Sequence, residues 1–105
     1  MKVTICIDTS NNKEVSVVLK MGEKEFVSKQ LLNHRKAQVV LPLVESLLKE
    51  HKLELKDLTD IEVNAGPGSF TGIRVGISIA NALGYLLKIP VNGKSVGELV
   101  EAVYQ

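Results

Sequence analysis

The stretch Gly66 to Gly72, "GPGSFTG", carries the residue types most readily turned to chemistry. Glycines between a strand and a helix let backbone N–H groups approach a phosphate at the helix start. Gly66, Gly68 and Ser69 are the candidates for such a cradle. The spacing matches neither common phosphate motif. A Walker A loop needs Lys and then Ser or Thr after its last glycine, and here Gly72 is followed by Ile73 and Arg74. The dinucleotide fingerprint is also missed, because Gly66, Gly68 and Gly72 are spaced G-x-G-x-x-x-G. A structural reading stands beside the cradle: Gly66 and Gly68 permit a sharp turn, Pro67 fixes one dihedral, and Ser69 caps the helix that follows.

The other reactive side chains are sparse. The single cysteine, Cys6, excludes an intrachain disulfide and a thiolate metal site, and its place in the apolar run "VTICID" predicts a small buried hydrophobe. The chain has 105 residues, 45% hydrophobic and 24% charged, with a formal net charge of +1. That length fits a single lobe over residues 1–105. The charge balance gives no reason to expect direct nucleic-acid or membrane binding. Two Tyr and two Phe are too few for a single-strand stacking platform. "MKVTICIDTSNN" turns polar too soon for a signal peptide, which places the chain in the cytoplasm by expectation.

The elements that must position the loop follow from periodicity. Val3, Ile5 and Ile7 alternate up to Asp8, "DTSNN" has turn chemistry, and Val15, Val17 and Leu19 alternate again. A turn at Gly22 and the run "KEFVSKQL" complete a three-stranded antiparallel meander. From about Arg35 to His51 the period is helical, with Ala37, Val40, Leu41, Val44, Leu47 and Leu48 on one face and Pro42 costing a hydrogen bond. "EHKLELKDLTD" reads as a charged, solvated connection, "IEVNA" as a short strand, Phe70 to Leu87 as a helix, "KIPVN" as the start of a strand and "SVGELVEAVY" as a last helix. The later strands follow crossover helices and should run parallel to the first. The expected fold is α/β, a mixed five-stranded sheet with crossover helices.

The helix after the glycine loop has an unusual face. At 100° per residue, Arg74, Ser78, Asn81, Tyr85 and Lys88 share one polar strip. The rest is apolar or small over roughly 220°, about twice what covering one sheet requires. It is too diluted by glycine and polar residues to span a membrane. Such a helix must touch two neighbours: the sheet, and either the first helix or a partner protein. Gly72, Gly76, Ala80 and Gly84, four apart, would let another backbone come close. Arg74, a cation in the first turn, either reaches solvent or faces an acidic partner or phosphate.

These segments resemble the TsaB (YeaZ) family, which serves in making threonylcarbamoyladenosine in tRNA beside the anticodon. The resemblance runs over essentially the whole chain, through "ICIDTS", "LPLVESLLKE", "LKDLTDIEV", "GPGSFTGIRVGISIANAL" and "KIPVNGKSVGEL". It implies an amino-terminal lobe of the ASKHA (actin, sugar kinase, Hsp70) class, related to ribonuclease H. The second lobe of typical members has no counterpart here, and the ASKHA nucleotide cleft lies between two lobes. Asp8, Thr9 and Ser10 match the family's first phosphate-loop position, with Asp8 as a strand-end turn former the competing reading. Relatives often carry His six residues before the proline matching Pro42; that position is Lys36, with His34 out of register. The catalytic relative TsaD has a metal-binding H-x-x-x-H pair after the strand matching "KIPV", and Asn92 to Gly97 holds no such ligand. His34 and His51 are too far apart in sequence to replace it, and no Ser–His–Asp set supports the older peptidase naming.

The resemblance implies a non-catalytic scaffold subunit of the tRNA-modification machinery, one that binds a TsaD-type paralogue or pairs with itself through its two helices. The interface residues expected are Val39, Leu43, Arg74, Val75, Ile79 and Leu86. No cofactor is expected on this chain alone; ATP and a metal would enter only with the complex. Two rivals remain: one half of an ASKHA nucleotide-binding ATPase unit, and a piece of a longer TsaB, suggested by length and by the uncapped ending "ELVEAVYQ".

Overall fold

The structure, a computed structural model, describes residues 1–31, 36–68 and 70–103. The expected features at His34 and Ser69 lie outside the described residues, and so do the side chains of Lys36 and Ala37. The meander forms as its alternation dictates: β1 is Val3–Asp8, β2 Glu14–Met21 and β3 Lys24–Leu31. Gly22 takes φ +61° in the tight turn joining β2 to β3, a conformation that favours glycine. β4, Asp60–Val63, adds to β1 in parallel, giving the order β3-β2-β1-β4.

Both helices pack on one face of this sheet. α1 spans Lys36–Glu50 and lies over β2 and β3; α2 spans Phe70–Leu87 and lies over β4 and β1. Val40, Val44, Leu47 and Leu48 of α1 join Val3, Ile5, Ile7, Val15, Val17 and Leu19 of the sheet in one buried cluster with Ile73, Ile77, Ala80 and Leu83 of α2. Each such Val, Leu or Ile side chain removes enough apolar surface to contribute about 1.5–3 kcal/mol. Pro42 sits on the exposed side of α1, as does Gln38, whose carbonyl would be the partner of the N–H that proline lacks. Just past the end of each helix a lysine takes the left-handed region, Lys52 at φ +59° and Lys88 at φ +57°. Leu53 N–H and Ile89 N–H close back onto Leu48 O at 2.9 Å and Gly84 O at 3.0 Å.

Three expectations are corrected. Among the described residues the sheet has four strands, not five: Val91 reaches β4 only as an isolated bridge to Ile61. The chain then reverses at Asn92 (φ +52°) and Gly93 (φ +72°), closed by Lys94 N–H to Val91 O at 3.1 Å. That is the geometry of a type I′ turn, for which Asn-Gly is the favoured pair. The last helix over "SVGELVEAVY" is absent from the described residues. Gly97 takes φ +89°, and Val100 and Val103 bond to Asn81 and Ala65 instead of to a helix ladder. The connection after α1 is only partly solvated, because it folds into a 3₁₀ turn at Leu55–Asp57 and buries Leu58.

Cys6 is corrected as well. With Val3, Ile5 and Ile7 pointing to the helices, the period of two puts Cys6 on the opposite face, where it is half-buried. The register lays Glu62, Cys6, Val18 and Val27 in one row across that face.

Candidate functional site

The candidate loop residues converge at the carboxyl end of β1. Asp8 Oδ1 accepts from Ser10 N–H at 2.9 Å and from Ser10 Oγ at 2.6 Å. Asn64, just past β4, donates through Nδ2 to the same Asp8 oxygen at 3.3 Å and to Ser10 Oγ at 3.1 Å. Its own Oδ1 accepts from Gly66 N–H at 3.0 Å. Asp8 is therefore the centre of an Asx turn tied sideways to the glycine loop. Parallel pairing of β1 with β4 brings the two turns together, since both strands end at the same edge of the sheet.

The glycines of the loop are needed for close approach. A Cβ on Gly68 would stand 2.7 Å from Ser10 Cβ, so the loop lies directly on the Asp8–Ser10 turn. Gly66 has φ +128°, its bond to Pro67 is cis, and a Cβ there would collide with Val103 O. Val103 N–H donates to Ala65 O at 2.7 Å, so the end of the described chain straps over this loop.

Thr9 goes the other way. Its side chain is fully buried, and its hydroxyl donates to Gly72 O and accepts from Gly76 N–H at 3.0 Å. Those two groups are an i, i+4 pair of α2, so the hydroxyl is inserted at one rung of the helix ladder. Of the candidates, Asp8, Ser10, Gly66 and Gly68 face one another, whereas Thr9 faces the helix. Sequence reasoning missed Asn64, Asn81 and Asn92. Each carboxamide stands in for a backbone partner, and only the Asn-Gly pair at 92–93 carried a local signal.

The small residues of α2 also serve the chain itself. A Cβ on Gly76 would come within 2.6 Å of Thr9 Oγ1, and Gly84 is pressed just as closely against Val91. Gly72, Gly76, Ala80 and Gly84 are all buried, facing the sheet side. On the other shoulder, Val75 and Ile79 are half-buried, as are Val39 and Leu43 of α1, which packs against α2. Leu86 remains 72% exposed and its neighbour Tyr85 73% exposed. Arg74 is exposed and has an interaction within the chain. In the polar strip Asn81 is half-buried: Nδ2 donates to Val100 O and Oδ1 accepts from Val100 N–H, both at 3.0 Å.

The sheet face away from the helices holds a groove of about 660 Å³, lined by Asp8, Asp60, Glu62, Cys6, Ser16 and Asn92 among others. Cys6 Sγ donates to Glu62 Oε1 at 3.4 Å. Burial first, and then the negative charge of Glu62, push the Cys6 thiol up to about 11. This is the opposite of an activated nucleophile. Among the described residues no three His, Cys, Asp or Glu side chains converge as metal ligands, and no helix is long and apolar enough to cross a membrane.

A mixed sheet with a three-stranded meander, a parallel β4 and both crossover helices on one face defines an ASKHA-like α/β lobe. Residues 27–98 match the family model of TsaD, tRNA N6-adenosine threonylcarbamoyltransferase. The tRNA threonylcarbamoyladenosine biosynthesis protein TsaB of Bacillus subtilis (strain 168) is 34% identical over an alignment of 100 positions that covers 93% of this chain and 43% of that protein. The tRNA N6-adenosine threonylcarbamoyltransferase of Clostridioides difficile (strain 630) is 30% identical over a gapped alignment of 107 positions that covers 87% of this chain and 32% of that one. The solved structure of YeaZ from Pseudomonas aeruginosa superposes with a TM-score of 0.81 at 32% identity, covering 90% of this chain and 44% of its own. The chain belongs to the TsaB/YeaZ family, within the wider group that the TsaD model describes. It spans less than half the length of these relatives.

Proposed function

We propose that this chain is a non-catalytic scaffold lobe of tRNA threonylcarbamoyladenosine biosynthesis. It docks a TsaD-type paralogue, or a second copy of itself, through the face shared by α1 and α2. The observation that carries this reading is the α2 shoulder. Val75, Ile79, Ala82 and Leu86 recur at helical spacing, and from Ala82 onward that stripe is exposed. Val75 and Ile79 pack against the core, whereas Ala82 and Leu86 do not. A stripe that changes from covered to bare along one helix is suited to a partner that continues the packing.

The loop geometry supports the scaffold reading over catalysis. Asp8, Ser10 and Asn64 are hydrogen-bonded to one another, Thr9 is engaged by α2, and the Cys6 thiol is held protonated at neutral pH. A cytoplasmic site of action follows from the proposed work on tRNA.

Size-exclusion chromatography and calorimetric titration against the TsaD-type paralogue test the reading. Association should be measurable with the wild-type chain and be lost in Leu86→Asp, with the melting temperature unchanged because Leu86 is exposed. Persistence of both complex and self-association in that variant would reject this face. Tight Mg-ATP binding by the chain alone would favour the rival, a nucleotide-binding half.

A further inference from the structure

The Asp8–Ser10 turn and α2 are joined by one buried side chain. Thr9 Oγ1 lies between Gly72 O and Gly76 N–H, donating to the first and accepting from the second. A Cβ at Gly76 would stand 2.6 Å from that oxygen and 3.4 Å from both Thr9 Cγ2 and Val63 Cγ2, so helix, turn and β4 meet at a single point. On either side Thr9 is held by residues with little freedom. Asp8 and Ser10 bond each other, and Asn64 ties both to Gly66 at the start of the glycine loop.

We propose that Thr9 is the positioning residue of the docking face: its hydroxyl registers α2 against the end of β1 and so sets where Val75, Ile79 and Leu86 lie. This rests on the docking reading above and names the contact that controls that surface. The argument is geometric. Apolar packing of Ile73, Ile77, Ala80 and Leu83 holds α2 down on the sheet but tolerates sliding, since aliphatic contacts have no fixed direction. A hydroxyl that must satisfy a donor and an acceptor one helical turn apart fixes both the translation and the rotation of the helix. Val75 directly precedes the pinned amide of Gly76, and Ile79 follows one turn later, so a change of register at Gly76 displaces the outer shoulder directly. The Asn64 link makes that register depend on the arrangement of the Asp8–Ser10 turn and the glycine loop.

The test compares Thr9→Val, which keeps the shape and loses the hydroxyl, with Thr9→Ser, which keeps the hydroxyl. Amide hydrogen exchange at Gly76 and affinity for the TsaD-type paralogue are read on the intact chain, with Leu86→Asp as control. In Thr9→Val, Gly76 exchange should rise and association should weaken, each by about tenfold, the worth of one net hydrogen bond. In Thr9→Ser both should stay near wild type. Unchanged exchange in Thr9→Val overturns the proposal. So does raised exchange with unchanged affinity, provided Leu86→Asp abolishes binding. If Leu86→Asp binds normally, the docking reading fails instead, and exchange still decides whether Thr9 positions α2. Should the valine variant not fold, the serine variant carries the test: loss of Gly76 protection there would show that packing of the methyl, not the hydroxyl, sets the helix.

Discussion

The carboxamide of Asn92 sits on Val63 as the next strand of the sheet would. Oδ1 accepts from Val63 N–H at 2.8 Å, and Nδ2 donates to Val63 O at 3.0 Å. Backbone pairing continues on the preceding side, with Ile61 N–H to Pro90 O at 3.0 Å and Asn92 N–H to Ile61 O at 2.8 Å. A side chain thus completes the edge of β4 where the backbone has already turned away.

Asn92→Asp keeps the acceptor but removes the donor and sets a carboxylate against Val63 O. Asn92→Ala removes both bonds and also loses a residue suited to φ +52°. Each should lower stability by about 1–3 kcal/mol, read from urea unfolding. The aspartate variant should recover part of its loss at pH 3, where a protonated carboxyl can donate again. An aspartate variant as stable as wild type at pH 7 would show that the Nδ2 bond contributes nothing.

Gly76→Ala sets two effects against each other. Alanine in a helix interior gains about 1 kcal/mol over glycine. Here the added carbon meets Thr9 Oγ1 at 2.6 Å, which breaks the hydroxyl's two bonds or displaces α2. Loss of buried hydrogen bonds costs about 1–3 kcal/mol and overpacking a similar amount, so the clash wins. A net destabilisation of about 2 kcal/mol is expected in thermal melts, partly relieved by the double variant Thr9→Ala/Gly76→Ala. Additive losses in the double variant would place the strain elsewhere.

The local elements were legible wherever a period was sustained. The bounds of β1, β3 and α2 follow directly from the alternation of Val3, Ile5 and Ile7, from the run "KEFVSKQL" and from the apolar run after Phe70. Asp8 was legible as a candidate but its contact with Asn64 was not, because the two are 56 apart in sequence and meet only through β1–β4 pairing. The final segment was misread for a definite reason. Val96, Leu99, Val100 and Val103 have helical spacing, yet backbone conformation at Gly93 and Gly97 and capture of Val100 by Asn81 override it. The small stripe on α2 was visible, but only tertiary contacts show that Thr9 and Val91, and not a second helix, use its clearance.

Cys6 supplies a pH dependence whose sign can be worked out. Burial and Glu62 raise its folded-state value from 9.0 to about 11. Between these values the unfolded chain releases the thiol proton and the folded chain keeps it, so unfolding is favoured as pH rises. The contribution of Cys6 is complete below pH 9.0 and disappears as pH climbs through about 11. Denaturant midpoints from pH 8 upward should fall more steeply in the wild type than in Cys6→Ser. Alkylation by iodoacetamide at pH 8 should be slow in the folded chain and fast in urea. Equal alkylation rates in the two states would contradict a raised thiol.

Asp8 separates the structural and nucleotide readings of the loop. Its Oδ1 accepts from Ser10 N–H, Ser10 Oγ and Asn64 Nδ2, so Asp8→Ala should cost about 2 kcal/mol even without ligand. Asp8→Asn retains a neutral acceptor at that oxygen and should lose less, about 1 kcal/mol, since bonds to an ionised acceptor are the stronger kind. A turn former predicts that these losses are the same with and without Mg-ATP. A nucleotide site predicts a rise in the wild-type melting temperature with Mg-ATP concentration, because ligand bound only by the folded state stabilises it by mass action. That rise would vanish in Asp8→Ala. Melting curves of the three chains across millimolar Mg-ATP therefore discriminate the readings, and the internal bonding of Asp8 predicts three curves that do not move.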